Sequence, residues 1–173
     1  IQGLDAGEFL TDTLTVSAFD GTTHDVLITL NGAEDAPVLD NAIANQTATE
    51  DAAYSFAFAA NTFSDADTSD TLVYTATQGD DSALPAWLSF DANTRTFSGT
   101  PDNGDVGVIT LKVAANDGNS TLTTTFTLTV GNTNDAAIIG GTDTGSVTED
   151  VAVVGNAISA TGTLTISDVD VGE

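Results

Sequence analysis

Cysteine and methionine are absent from this chain, and only two of its 173 residues are lysine or arginine. Without cysteine there is no disulfide, no thiolate zinc site and no thiol nucleophile. Histidine occurs once, as His24, so an imidazole-based transition-metal site lacks a second ligand of its kind. A Ser-His-Asp triad would rest on that one residue at the start of a hairpin strand, and no enzymatic role is expected. No apolar run approaches the ~18 residues of a helical membrane span, and no leader-type segment is present, so membrane insertion is not expected. The chain begins inside a repeat pattern and reads as an excerpt of a longer one, so the missing leader says nothing about export.

What the chain has in excess is carboxylate. Twenty-six Asp and Glu give a net charge of -24. That charge excludes nucleic acid and anionic membrane surfaces, because each phosphate contact would work against long-range repulsion. Cations are the natural partner. Hydrophobic residues make up 40% of the chain, enough for a packed core, so the acidity does not signal a disordered tail. An exported chain without disulfides needs another staple, and oxygen-ligated calcium is one that acidic loops can build.

The apolar period is two nearly everywhere. Residues 121–130 alternate Leu122, Thr124, Phe126, Leu128 and Val130 with a column made of Thr. Residues 108–114 set Ile109, Leu111 and Val113 on one face, with Thr110 and Lys112 on the other, where Lys112 faces solvent. Residues 12–19, 25–30 and 94–98 read as further strands. Alternation over short runs, broken by Asp, Asn and Gly, predicts an all-β antiparallel sandwich, and no window carries a helical stripe.

An internal repeat sets the organisation. Residues 15–37 align with 112–137 as strand, Asp-Gly turn, strand and acidic linker; residues 48–72 align more loosely with 147–173. Asp20 to Asp117 spans 97 residues, Glu50 to Glu149 spans 99, and Asp35 to Asp135 spans 100, a period suited to an immunoglobulin-like sandwich. Three units follow: 1–36 as the C-terminal part of one β domain, 37–135 as a complete one, and 136–173 as the N-terminal part of a third. Partial domains present unpaired strand edges. Head-to-tail self-association is therefore expected between the 136–173 end of one molecule and the 1–36 end of another.

Two acidic stretches recur at equivalent places, "FSDADTSD" (63–70) and "ISDVDVGE" (166–173). Along an extended segment residues i and i+2 point the same way, roughly 6.5–7 Å apart at Cα. Asp65 with Asp67, and Asp168 with Asp170, can thus converge on one cation. Asp70, Asp80, Asp81, Asp102 and Asp105 read as turn or cap residues.

The combination of "LPAWLSFD" (84–91), "RTFSGTP" (95–101) and "AANDG" (114–118) resembles the dystroglycan-type cadherin-like module over 37–135. The flanking pieces look like the C-terminal and N-terminal parts of VCBS repeats. Both modules occur in large secreted bacterial adhesins of the repeats-in-toxin kind, exported by type I secretion, where tandem domains form a calcium-stiffened stalk. The resemblance implies a secreted, cell-surface spacer with calcium at its interdomain linkers and the adjacent tandem domains as partners. Carried over by position, the first linker would use Asn31, Glu34, Asp35, Asp65, Asp67 and Asp117. The second would use Glu50, Asp51, Asn132, Asn134, Asp135, Asp168 and Asp170. The base acid of the first linker would belong to the preceding domain. Asp20 and Glu149 would serve neighbouring junctions. Glu34 stands where the family carries Asn, as at Asn134, and Ala137 stands where the linker carries Pro.

Two other roles fit the same fold. A module binding glycan or protein would need exposed aromatics, and Trp87, Tyr54 and Tyr74 all sit at positions readable as core, Trp87 as a core plug. An accessory domain of a secreted polysaccharide-degrading enzyme would differ only in what lies elsewhere in the parent chain.

Overall fold

A computed structural model describes residues 4–67, 69–142, 144–145, 153–154, 157–158 and 162–170; Glu149 and Glu173 lie outside them. The first piece is a hairpin of β1 (Phe9–Ser17) and β2 (Thr23–Asn31), paired from Phe9↔Asn31 to Ser17↔Thr23. Its turn includes Gly21 at φ 88, in the left-handed region open to glycine.

The central unit follows as β3 (Val38–Leu39), β4 (Gln46–Thr49), β5 (Tyr54–Ala57), β6 (Phe63–Ser64), β7 (Val73–Gln78), β8 (Leu88–Asp91) and β9 (Thr96–Gly99). A single 3-10 turn, Asn103–Asp105, leads into the two longest strands, β10 (Gly107–Asn116) and β11 (Thr121–Gly131). The last piece holds β12 (Ile138–Gly141), β13 (Val153–Val154), β14 (Ala157–Ile158) and β15 (Leu164–Ser167).

One layer of the central sandwich runs β4-β11-β10-β7; the other is β5-β9-β8 with the short pair β3-β6 beside it. The architecture is the expected all-β, immunoglobulin-like sandwich. One pairing departs from antiparallel: β4 runs parallel to β11, from Leu128↔Gln46 to Gly131↔Thr49.

The period-two reading of β10 and β11 sets the core. Leu111, Val113, Ala115, Phe126, Leu128 and Val130 are buried, and the opposite column faces out. Phe126 meets Phe97 and Phe56 of the facing sheet at centroid distances of 5.6 and 5.9 Å. Trp87 packs against this core edge-on to Tyr54, as a plug. Tyr54 is buried and Tyr74 partly so, and burial pushes the Tyr54 phenol up to about 12. Gly99 is obligatory, since a Cβ there would lie 1.8 Å from the Trp87 carbonyl oxygen.

The strand expected over 94–98 begins at Thr96. The Asp91 carboxylate accepts the N–H groups of Asn93 and Thr94, and Arg95 takes φ 58, so these residues close the turn instead. Lys112 points away from the core as expected, yet it is not free: its ammonium lies 2.7 Å from Asp81, the one ion pair among the described residues.

Phe97→Ala removes a fully buried ring at the centre of the sandwich. It should cost about 3–5 kcal/mol, read as a lower denaturation midpoint in Trp87 fluorescence.

Candidate metal centres

The ten residues of β10 cover about 30 Å at the rise of an extended strand. Its C-terminal end, with the turn at Asp117, lies beside the 31–35 linker. Its N-terminal end pairs with Val130, where β11 enters the 131–135 linker. The two acidic linkers are therefore held at opposite ends of one long hairpin.

At the first linker Asp67 is 2% exposed. One of its carboxylate oxygens, Oδ2, accepts the Asp35 backbone N–H at 2.7 Å, while Oδ1 is buried without a partner. Asp65 turns back to accept the Asp67 N–H at 3.0 Å, and its own Oδ2 is also buried and unpartnered. Glu34 accepts from the Asn119 side chain at 2.6 Å. Glu34, Asp67 and Asp70 each place a carboxylate oxygen within 4.8 Å of the others.

Asp70 thus corrects the turn-or-cap reading: it belongs to the cluster, and its Oδ2 is a buried, unpartnered oxygen. Asp5 is a second addition that sequence reasoning missed. It accepts from the Ser69 hydroxyl and leaves Oδ1 buried without a partner. Its loop reaches the linker because Gly32 has no side chain; a Cβ there would sit 2.1 Å from the Asp5 carbonyl oxygen. The first piece of the chain therefore brings its own acid to this junction.

The second linker repeats the arrangement. Asp170 accepts the Asp135 N–H at 2.6 Å through Oδ2, and Asp168 accepts the Asp170 N–H at 3.0 Å. Glu50 is 1% exposed; Oε1 accepts the Thr133 N–H at 2.5 Å and Oε2 is buried and unpartnered. Glu50, Asp135 and Asp170 form a trio within 4.8 Å. Asn132 donates to Asp170 at 3.2 Å, and Asn134 turns instead to the Asp135 carbonyl oxygen at 2.7 Å. A further unforeseen contributor is Asn103, whose side chain donates to Asp135. It sits in a loop whose Asp102 N–H donates to Asp105, just as the Asp5 N–H donates to Glu8 ninety-seven positions earlier. That echo was the available signal for both residues.

Three expected residues stand apart from these trios. Asn31 is exposed at the end of β2, and Asp51 is exposed at φ 57, its N–H given to the Pro101 carbonyl oxygen. Asp117 is at the right end of the module, but its oxygens accept from Asn119 and Ser120 within its own turn. Asp20 closes its own turn through Thr22.

Every donor here is an oxygen, which suits a hard cation such as calcium and not a thiophilic metal. Within 4.8 Å, two unit charges repel by roughly 1 kcal/mol in bulk water and roughly 3–4 kcal/mol at the effective dielectric of a protein surface. The linker N–H groups satisfy one oxygen each of Asp67, Glu50 and Asp170, but Asp67 and Glu50 keep an orphan that only a cation or a proton could satisfy. The residues present fit a divalent ion.

The family model He_PIG, described as "Putative Ig domain", matches residues 36–131. No curated protein matches the chain. Among solved structures, a variant of the endo-fucoidan hydrolase MfFcnA4 of glycoside hydrolase family 107 is 22% identical, with a TM-score of 0.47 over 75% of this chain and 19% of that one. The endo-fucoidan hydrolase MfFcnA9 of the same family is 19% identical, with a TM-score of 0.35 over 73% and 22%. The N-terminal eight Ig domains of Down Syndrome Cell Adhesion Molecule are 12% identical, with a TM-score of 0.36 over 94% and 24%. The chain spans about a fifth to a quarter of these structures, and nothing about its role follows from them.

The junction carboxyls should titrate in opposite directions without metal. Partial burial, then the charges of Asp5, Asp67, Asp65 and Asp117, raise Asp70 above 3.8. The Ser120 backbone N–H and then its hydroxyl hold Asp117 below 3.8. Asp70 therefore favours folding below 3.8 and loses that contribution as pH rises through its folded value. Asp117 favours folding above 3.8 and loses it as pH falls through its folded value. Carboxyl NMR titrations in chelator should place Asp70 above 3.8 and Asp117 below it.

Proposed function

The chain belongs to this immunoglobulin-like family, and on that fold we propose that it is a calcium-stiffened spacer of a large secreted bacterial cell-surface protein, with an ion at each linker of the central module. The observation that carries the reading is the pair of buried carboxylates, Asp67 and Glu50, each with one oxygen held by protein and the other without a partner. Glu34, Asp67 and Asp70, with Asp5 and Asp65 beside them, would hold calcium at the first linker. Glu50, Asp135 and Asp170 would hold it at the second. The bound ion supplies positive charge where the module, the linker and the flanking piece all present negative charge. It turns a repulsive joint into a bridged one.

The resemblance to cadherin-like and VCBS modules supports the adhesin setting. The same mechanical role would serve an accessory domain beside a polysaccharide-degrading enzyme, since the residues at the linkers do not distinguish the parent. A glycan-binding surface is less well supported: Tyr54 is core, and Trp87 and Tyr74 pack against it. No catalytic role is proposed.

Extracellular modules hold calcium at ~10⁻⁴–10⁻³ M. Tenfold excess over the dissociation constant stabilises by about 1.4 kcal/mol per site, or roughly 6–11 °C in a domain of this size. Calorimetry should detect binding in the millimolar range. Calcium should raise the melting temperature by that order and narrow the size distribution in X-ray scattering. Identical melting and scattering with calcium and with EDTA would sink the reading.

Glu50→Gln and Asp67→Asn should invert sign between conditions. Each keeps the side-chain shape and removes one repelling charge, so melting in EDTA should hold or rise while calcium affinity falls about tenfold or more. Equal losses in both conditions would mark these residues as packing elements alone.

A further inference from the structure

The hairpin β1–β2 repeats β10–β11 residue for residue. Leu14 pairs with Val26 as Leu111 pairs with Phe126, Asp12 with Ile28 as Ile109 with Leu128, and Leu10 with Leu30 as Gly107 with Val130. Yet the same face has opposite fates. Leu111, Val113, Phe126, Leu128 and Val130 are 0–3% exposed, whereas Leu14, Val16, Val26, Ile28 and Leu30 are 37–56% exposed. Among the described residues no third strand pairs with this hairpin and no second layer covers it.

The other end carries the reverse deficit. The pair β12–β15 repeats β3–β6: Ile138 meets Ser167 as Val38 meets Ser64, and Ile139 meets Ile166 as Leu39 meets Phe63. Phe63 is buried in the central core and Leu39 packs against it, while Ile139 and Ile166 are 69 and 73% exposed. The central module thus shows how these two kinds of strand pair share one core.

We propose that the apolar face of β1–β2 is a docking surface for a second copy of this chain, occupied by that copy's β12–β15 end. The contact joins unlike surfaces, so it propagates head to tail and yields short chains of molecules rather than a closed dimer. It goes beyond the spacer reading and does not require calcium. Both surfaces belong to an acidic chain, so added monovalent salt screens repulsion and should strengthen the contact, the reverse of a charge-driven one.

The test is sedimentation velocity of the 173-residue chain in chelator, from micromolar to near-millimolar concentration, with Leu14→Asp and Ile166→Asp variants. The wild type should form a concentration-dependent series. Each variant alone should be monomeric, having lost one of the two surfaces. Mixed, they should form a 1:1 dimer that does not extend, since Leu14→Asp keeps β12–β15 and Ile166→Asp keeps the hairpin face. The mixture uses only the unaltered end of each variant, so the result stands even if an altered end unfolds; Trp87 fluorescence checks the central module. A monomeric wild type, failure of the mixture to associate, or self-association of Ile166→Asp through two hairpins would each overturn the proposal.

Discussion

The register of β10 against β11 is the constraint on which the rest depends. Pairing Leu111 with Phe126 aligns two apolar columns on one face and turns Lys112 and the threonine column outward. A slip of one residue would send Lys112 into the core and Leu111 to solvent, so burial enforces the register strongly. The same register sets the module's length. It places the Asp117 turn at one end and the 131–135 linker at the other, and so decides which carboxylates can meet.

Charge then works against the fold at both ends. The chain carries 26 acidic residues and two basic ones, and Lys112 is engaged with Asp81 away from either linker. No protein cation neutralises Asp67 or Glu50. Backbone N–H groups hold one oxygen of each, which orients the carboxylate without cancelling its charge. Such a joint is conditional on its solution: under the proposed reading it stiffens when a divalent ion is present and loosens when it is removed. The central core, built from Phe97, Phe126 and their neighbours, does not share that dependence.

The internal repeat separates what a strand pair prefers from what surrounds it. The two long hairpins have the same alternation, turn chemistry and pairing, but only one lies under a second layer. Local pattern is therefore sufficient to make the hairpin, while burial of its apolar face requires strands from elsewhere.

Alternation by itself determined the all-β class, the inward faces of β10 and β11, and the core positions of Trp87 and Tyr54, because each depends on neighbours two residues apart. The paired motifs at 65–67 and 168–170 were legible for the same reason, as were Asp35 and Asp135 through their repeat spacing. Tertiary structure alone decided the membership of the junctions. Asp5 lies 65 positions from Asp70, and Asn103 lies 32 from Asp135; both arrive through loops whose spacing in the chain carries no sign of their proximity. It also separated Asp70, which looked like a turn residue, from Asp117, which looked like a ligand. A carboxylate's role depends on which donors fold back onto it: Asn119 and Ser120 reach Asp117 locally, while one oxygen of Asp70 is left buried with none.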